Sequence, residues 1–450
     1  MIIQQFEDKN LAHFSYAVVS ECEAKIVLID PARDIKPYLD FAATHNATII
    51  AVIETHPHAD FISGHFEIQK KTGATLYCSK LLAADYPHQT FDEGNVLEFG
   101  KIKLKALNTP GHSPDSISIV LEHNGKDKAV FTGDTLFIGD CGRPDLRETA
   151  GNMTAERKEL ARQMYYSLRQ KLATLSDDVL VYPAHGAGTL CGKALLKANQ
   201  STIGAEKSSN WSLQEMDENQ FVEALISDQP FVPKYFPFDV ELNKKGAENI
   251  EEALSKISIG YPIKTKAEAE RIQKNVLIVD SRPSDKYQAS HLPNSINIMA
   301  NGKFETWLGS IVNPGEKFYL AAEDEETVAG LLKRIAKIGY EDAVEEAFVL
   351  DYGELNFPQI DLQELKKDPS AYTIIDIRNR AEANGKSIFP HSVNIPLPEL
   401  RERIQEVPKN KPVLVHCAGG TRSAAGSSLL ASALPEMQVV DLGKAVKDFQ

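Results

Sequence analysis

Apolar runs of strand length, separated by turn residues, fill the first 200 positions of the chain. Residues 17–19, Lys25–Ile29, Thr48–Ile53, 75–77, 101–107, 117–121 and 129–131 predict strands. Residues 154–175 put Leu160, Met164, Tyr165, Leu168 and Leu172 at helical spacing, which predicts an amphipathic helix, and residues 219–226 predict a shorter one. Pro230, Pro233 and Pro237 punctuate the aromatic stretch PFVPKYFPFDV and predict a boundary. A Lys/Glu-rich helix over 247–257 leads into a different pattern.

From Lys264 onward the chain repeats itself. VLIVDSR (276–282) matches TIIDIR (373–378), HLPNSINI (291–298) matches FPHSVNI (389–395), and FYLA (318–321) matches VLVH (413–416). Asp280 thereby pairs with Asp376 and Pro293 with Pro390, at offsets of 96 and 97 residues, and the third block follows at 95. Chance similarity of generic strands explains one such block, not three in order. Apolar strands alternating with helices predict a small doubly wound α/β domain, present twice.

Length and charge refine the picture. A chain of 450 residues holds about three domains, and the patterns divide it at 1–245, 246–354 and 355–450. The 63 acidic side chains outnumber the 49 basic ones, a net charge of −14 that argues against nucleic acid or an anionic membrane as partner. No apolar run approaches membrane-spanning length, and MIIQQFEDKN lacks a basic segment followed by an apolar one, so no signal peptide is expected. Five cysteines (Cys22, Cys78, Cys141, Cys191, Cys417) are too few and too odd for a disulfide scaffold. The expectation is a soluble, cytoplasmic homo-oligomer with its cysteines as thiols.

Chemistry-bearing residues stand at the ends of the apolar runs. ETHPHADFISG (54–64) follows the strand Thr48–Ile53 and sets His56, His58 and Asp60 on a loop at its carboxyl end, where α/β sheets place ligand groups. His112 in TPGHSPDS, Asp134 in FTGDTLF and His185 in YPAHGAG each sit beside Gly or Pro, which can aim the side chain through a tight turn. Imidazole and carboxylate suit zinc or iron, and three or four must converge from separate loops. One such histidine is ordinarily a surface or core residue; the ordered set is what points to a metal.

That set, HxHxD, GH, GD and a final His, resembles the metallo-β-lactamase superfamily over roughly residues 1–200, which implies an αβ/βα sandwich with metal at one edge of the paired sheets. The position after Asp60, a second-metal histidine in HxHxDH relatives, is here Phe61. A binuclear hydrolytic centre is therefore disfavoured. His56, His112 and Asp134 remain, a two-histidine, one-carboxylate set with open positions, as in mononuclear non-haem Fe(II) oxygenases. Spacing alone leaves iron and zinc both open. THPHADFISG with GDTLFIGDCGRPDL is similar to the persulfide dioxygenase branch, which implies Fe(II) on His56, His112 and Asp134, with His58, Asp60 and His185 orienting ligands or substrate. By the same resemblance Arg143 binds the anionic part of a thiol carrier; a loop-bracing salt bridge is the other reading. Glutathione-using relatives continue the last histidine with Asp-Tyr, whereas His185 is followed by Gly186 and Ala187. The carrier thus stays open between glutathione, coenzyme A and a small organic thiol. Cys191, near Lys193, is read as a catalytic sulfur carrier whose thiolate the ammonium favours, or else as a small buried hydrophobe.

PVLVHCAGGTRS (412–423) is the second strong signal. A strand ends at His416, Cys417 opens a six-residue turn, and residues 423–430 begin a helix. Gly419 and Gly420 let the backbone curl so that successive N–H groups point at one anion. The helix N-terminus and Arg422 add positive potential, an environment that holds an anionic sulfur species on Cys417. The pattern resembles the CxxGxR loop of rhodaneses over residues 355–450, which implies that Cys417 carries sulfane sulfur while Arg422 and the amides from Ala418, Gly419, Gly420 and Thr421 bind it. In the first repeat the matching position is near Ala322, in AAEDEETVAG. The cysteine, glycines and arginine are absent and Glu323, Asp324, Glu325 and Glu326 repel anions, so this repeat is expected to be inactive.

Taken whole, the chain is similar to persulfide dioxygenase–rhodanese fusions. That resemblance implies an enzyme of sulfide detoxification that oxidises a small-molecule persulfide with O2 to sulfite and passes sulfane sulfur through Cys417 to give or use thiosulfate. Three alternatives stay open: a zinc thioester hydrolase of the glyoxalase II kind fused to a sulfurtransferase, a sulfur-carrier protein without catalysis in its first domain, and a redox sensor using Cys191 and Cys417.

Overall fold

Strands Lys25–Ile29 and Thr48–Ile53 are apolar on both faces, so each face needs its own cover. Val27, Ile29, Ala51 and Ile53 pack against Ile102, Leu104, Ile119, Leu121 and Phe131 of a second sheet. Ile26, Leu28, Ile49 and Val52 face the other way, onto Tyr38, Ala42 and Ile68 of the helices Lys36–Thr44 and His65–Thr72. The second sheet is covered in turn by Ala161 and Met164 of helix Arg157–Tyr166 and by Phe221, Val222 and Leu225 of helix Glu218–Ile226. The outcome is the expected αβ/βα sandwich. Its two six-stranded sheets run in chain order, from Ile2–Asp8 to Gln89–Thr90 and from Val96–Phe99 to Ser201–Thr202.

This computed structural model describes residues 1–146 and 157–450. By contacts the chain forms two units, Met1–Glu252 with Ala336–Gly339, and Ala253–Ile335 with Tyr340–Gln450. Among the described residues no helix is long and apolar enough to cross a membrane. The helix expected over 154–175 begins outside the described residues and breaks into Arg157–Tyr166, a widened turn Ser167–Lys171 and a tight turn Leu172–Thr174. That widening keeps Leu168 and Leu172 on the core. Within the proline-rich stretch, Pro230 and Pro233 precede a helix, Tyr235–Lys245. Pro237 falls in its first turn, where no backbone N–H is needed.

The second unit holds two parallel four-stranded sheets of identical topology. Their orders are Ser295–Asn297, Leu277–Asp280, Phe318–Ala322, Val344–Val349 and Val393–Asn394, Thr373–Asp376, Val413–His416, Val439–Asp441. The duplication extends to side chains. Arg282 grips Asp280 at 2.6 Å as Arg378 grips Asp376 at 2.6 Å. Asn297 donates to the Asp280 and Arg282 carbonyls at 2.9 Å, and Asn394 repeats this on Asp376 and Arg378 at 2.8 and 2.9 Å. Arg401 of the second repeat holds Glu316 of the first through two bonds of 2.7 and 2.6 Å.

Burial pushes the carboxyl of Asp441 up to about 6. Because the folded value exceeds an unfolded value of about 3.9, the associated stability is complete below about pH 4 and is lost as pH rises through about 6. Denaturant unfolding of the Asp441→Asn chain at both ends of this window should show a shallower loss of stability than wild type; an unchanged slope contradicts the assignment.

Candidate metal centre and sulfur loop

Strand ends bring the metal candidates together. His56 follows Thr48–Ile53, Asp134 follows Lys126–Gly133, His185 follows Leu180–Pro183, and His112 precedes Ile117–His123. Gly133 makes the approach possible: its φ is +50°, and a Cβ there would lie 2.6 Å from the Thr55 hydroxyl. His112 Nε2 is 3.5 Å and His56 Nε2 3.9 Å from Asp134 Oδ2, with the two rings nearly perpendicular at 82°.

Each imidazole is held by its far nitrogen. His112 Nδ1 lies 2.9 Å from the Arg143 carbonyl. His56 Nδ1 lies 3.0 Å from the Thr55 hydroxyl, which donates to Asp30 Oδ2 at 2.8 Å. The Thr55 N–H donates to Asp30 Oδ1 at 2.7 Å, so Asp30 clamps the loop twice. Both Nε2 atoms are thereby presented toward Asp134. Burial holds His112 below its ordinary value, favouring the neutral form a metal binds. Both oxygens of Asp134 are buried and accept no hydrogen bond from the described residues. A bare buried carboxylate facing two imidazoles fits a divalent cation.

Two further groups flank this one. Asp60, His185 and Cys191 converge, as do Asp30, Glu54 and His58, each with potential ligand atoms within 4.8 Å of one another. His185 Nε2 is 3.5 Å from Asp60 and 3.6 Å from the second oxygen of Asp134. Burial opposes charge on His185, yet Asp60 and Asp134 lift it to about 9. His58 turns away from Asp134, with Nε2 3.2 Å from Asp30 and 3.6 Å from Glu54. Burial raises Glu54 to about 8. Phe61 is 1% exposed and stacks between His58 and His13, at 4.3 and 3.9 Å between ring centres.

Two expectations change here. Lys193 does not activate Cys191: its ammonium donates to the Ala224 and Ser227 carbonyls, while burial and then Asp60 and Asp134 push the thiol well up. Arg143 is not displayed as an anion receptor. It is buried in a bidentate pair with Asp145 at 2.6 and 2.7 Å and donates to the Leu190 and Phe231 carbonyls, the loop-bracing arrangement.

Sequence reasoning missed Asp30, Thr55, Glu54 and Asn243. Asp30, at φ +49°, closes the apolar strand Lys25–Ile29 just before Pro31, the one local signal available. Asn243 lies on the helix Tyr235–Lys245. It donates to the His58 and Phe61 carbonyls at 2.8 Å and accepts the Ser63 N–H at 2.8 Å, bracing the HxHxD loop from outside.

At the sulfur loop, strand Val413–His416 ends as expected, but helix Thr421–Ala433 starts two residues early. Thr421 and Arg422 therefore belong to its first turn, and the loop shrinks to Cys417, Ala418, Gly419 and Gly420. Gly420 takes φ +99° at the helix start, where no side chain caps the turn, so its N–H groups are available to an anion. Cys417 is 1% exposed, and the Gly420 N–H donates to its sulfur at 3.1 Å. Arg422 is fixed by Glu382 through bonds of 2.6 and 2.8 Å. The Gln450 side chain donates to the Ala418 carbonyl at 2.8 Å. No disulfide engages any of the five cysteines.

Residues 10–185 match the metallo-beta-lactamase superfamily, and residues 264–353 and 360–446 each match the rhodanese-like domain. A metallo-beta-lactamase crystal structure from Staphylococcus aureus subsp. aureus COL is 30% identical, with a TM-score of 0.67 over 98% of that chain and 77% of this one. The chain belongs to the metallo-beta-lactamase superfamily, and two rhodanese-like domains follow the metallo-beta-lactamase fold. The mitochondrial persulfide dioxygenase of Homo sapiens is 27% identical over 186 residues, 41% of this chain and 68% of its own. The cytoplasmic hydroxyacylglutathione hydrolase of Arabidopsis thaliana is 27% identical over 259 residues, 57% of this chain and 92% of its own.

The environment of Arg143 makes its two readings separable. Arg143→Ala removes the bidentate partner of the buried Asp145, leaving it Arg157 at 3.9 Å, and should lower the unfolding free energy by about 2–4 kcal/mol in denaturant titration. Retained stability together with weakened substrate binding would restore the anion-receptor reading.

Proposed function

We propose that this chain couples two reactions of sulfane sulfur, with residues 1–245 as the oxygenase, 246–354 as an inactive repeat and 355–450 as the sulfur carrier. In the first, R–S–SH, O2 and H2O give R–SH, sulfite and two protons. In the second, a persulfide on Cys417 passes its outer sulfur to sulfite, giving the Cys417 thiolate and thiosulfate, or the transfer runs in reverse. The observation that carries the reading is the His56, His112, Asp134 set standing beside a stacked Phe61. Two imidazoles and one carboxylate leave coordination positions for substrate, and the ring at position 61 withholds the histidine of a binuclear hydrolase.

An Fe(II) ion held by His56, His112 and Asp134 would supply the O2 chemistry. The protein's own groups do the rest. Thr55 and the Arg143 carbonyl fix the imidazole orientations, Asp30 keeps His58 off the ligand set, and Phe61 fills and dries the adjoining space. Cys191 lies in the neighbouring group with Asp60 and His185, which supports a part for its sulfur beside the ligand set. At the other site the Gly420 amide and the uncapped helix start stabilise negative charge on sulfur. Joining both activities in one chain raises the effective concentration of sulfite at the sulfur carrier.

Similarity to hydroxyacylglutathione hydrolase supports one rival, a zinc thioester hydrolase fused to a sulfurtransferase. Phe61 weighs against it. Paired variants test the two-site reading. Cys417→Ser should abolish sulfur transfer from thiosulfate to cyanide while leaving persulfide-dependent O2 uptake, and His112→Ala should do the reverse. Loss of both activities in both variants contradicts two sites, and hydrolysis of a glutathione thioester without O2 uptake selects the rival.

A further inference from the structure

Two hydrogen bonds, one buried and one half-buried, run from the repeat that lacks a cysteine to the elements bracketing Cys417. The Asn297 N–H, on the edge strand Ser295–Asn297, donates at 2.8 Å to the Ser428 hydroxyl of helix Thr421–Ala433. The Gln288 side-chain amide, on helix Ser284–Ala289, donates at 3.0 Å to Asp441 Oδ2. The other oxygen of Asp441 accepts the Gly443 N–H at 2.9 Å. Gly443 then backs the sulfur loop so closely that a Cβ on Gly420 would lie 2.9 Å from its carbonyl carbon. Gly420 is the residue whose N–H meets the Cys417 sulfur at 3.1 Å. Asp441 and Gly443 thus form a short hydrogen-bonded and packed path from Gln288 to the backbone of Gly420.

We propose that Gln288 is a positioning residue for sulfur transfer: through Asp441 and Gly443 it holds the Gly420 N–H against the sulfur of Cys417. The repeat without chemistry of its own thus forms the back wall of its partner's site. The proposal rests on the reading of Cys417 as the sulfur carrier, and it extends that site to a residue 129 positions upstream of the cysteine. Removing the Gln288 donor leaves a buried carboxylate oxygen without it, so Asp441 must turn toward another partner or toward water.

The test uses the full chain and two variants. Gln288→Met keeps the volume and removes the donor. The exchange Gln288→Glu with Asp441→Asn reverses the bond, since the new amide donates to the new carboxylate and its oxygen still accepts from Gly443. Thiosulfate-to-cyanide transfer is measured well below the melting transition, together with the rate of Cys417 alkylation by iodoacetamide, read on the Cys417 peptide by mass spectrometry. Gln288→Met should lower kcat about tenfold with KM little changed, and should alter the alkylation rate about threefold or more. The exchange should bring both back to within about twofold of wild type. Wild-type kcat and alkylation in the folded Gln288→Met chain, or an exchange variant that folds without recovering either, overturns the proposal. Alkylation reports the loop whether or not Cys417 carries sulfur, so failure of the sulfur-transfer reading is seen separately, as transfer that survives Cys417→Ser.

Discussion

A carboxylate shut away from water and left without a donor is stable only beside a positive charge, and Asp134 is built into that situation. Much of the first unit serves to create it. Three strands end and a fourth begins beside the site, Gly133 lets the Asp134 loop settle against Thr55, and His56 and His112 close on the carboxylate. A bound cation would turn the same residues into a ligand set.

The surrounding polar network decides which chemistry that set can host. Asp30 spends its carboxylate on Thr55 and His58, which fixes His56 for coordination and withdraws His58 from it. Phe61 replaces an imidazole by a ring that stacks on its neighbours, so one side of the site is hydrophobic where a hydrolytic centre would have a ligand. Buried side-chain amides brace both units: Asn243 ties the His58 and Phe61 carbonyls to its helix, and Asn297 ties the Asp280 and Arg282 carbonyls to its strand.

Residues whose position is announced locally were legible in the sequence, and three of them converge in the structure. His56, His112, Asp134 and Cys417 each follow or abut an apolar run beside Gly or Pro, a pattern that survives without knowledge of contacts. The sandwich and the duplicated sheet followed from strand runs and a repeat offset. Thr55, Asp30 and Asn243 were not legible, because their partners lie across the fold: Thr55 is 25 residues from Asp30, and Asn243 is 185 from His58. Lys193 is near Cys191 in sequence yet its ammonium points elsewhere; a neighbour in the chain was taken for a neighbour in space. The sulfur loop was read two residues too long because an αL glycine can start a helix with no side-chain cap, which leaves no sequence signature.

The central claim is that a single iron at His56, His112 and Asp134 oxidises a persulfide with O2. It is tested most directly by purifying the full chain without oxygen, quantifying its metal, and following O2 and sulfite in an oxygen electrode with a small-molecule persulfide. The account predicts one iron per chain and one O2 consumed per sulfite formed. A chain that holds zinc alone, or that takes up no O2 when loaded with iron, contradicts it.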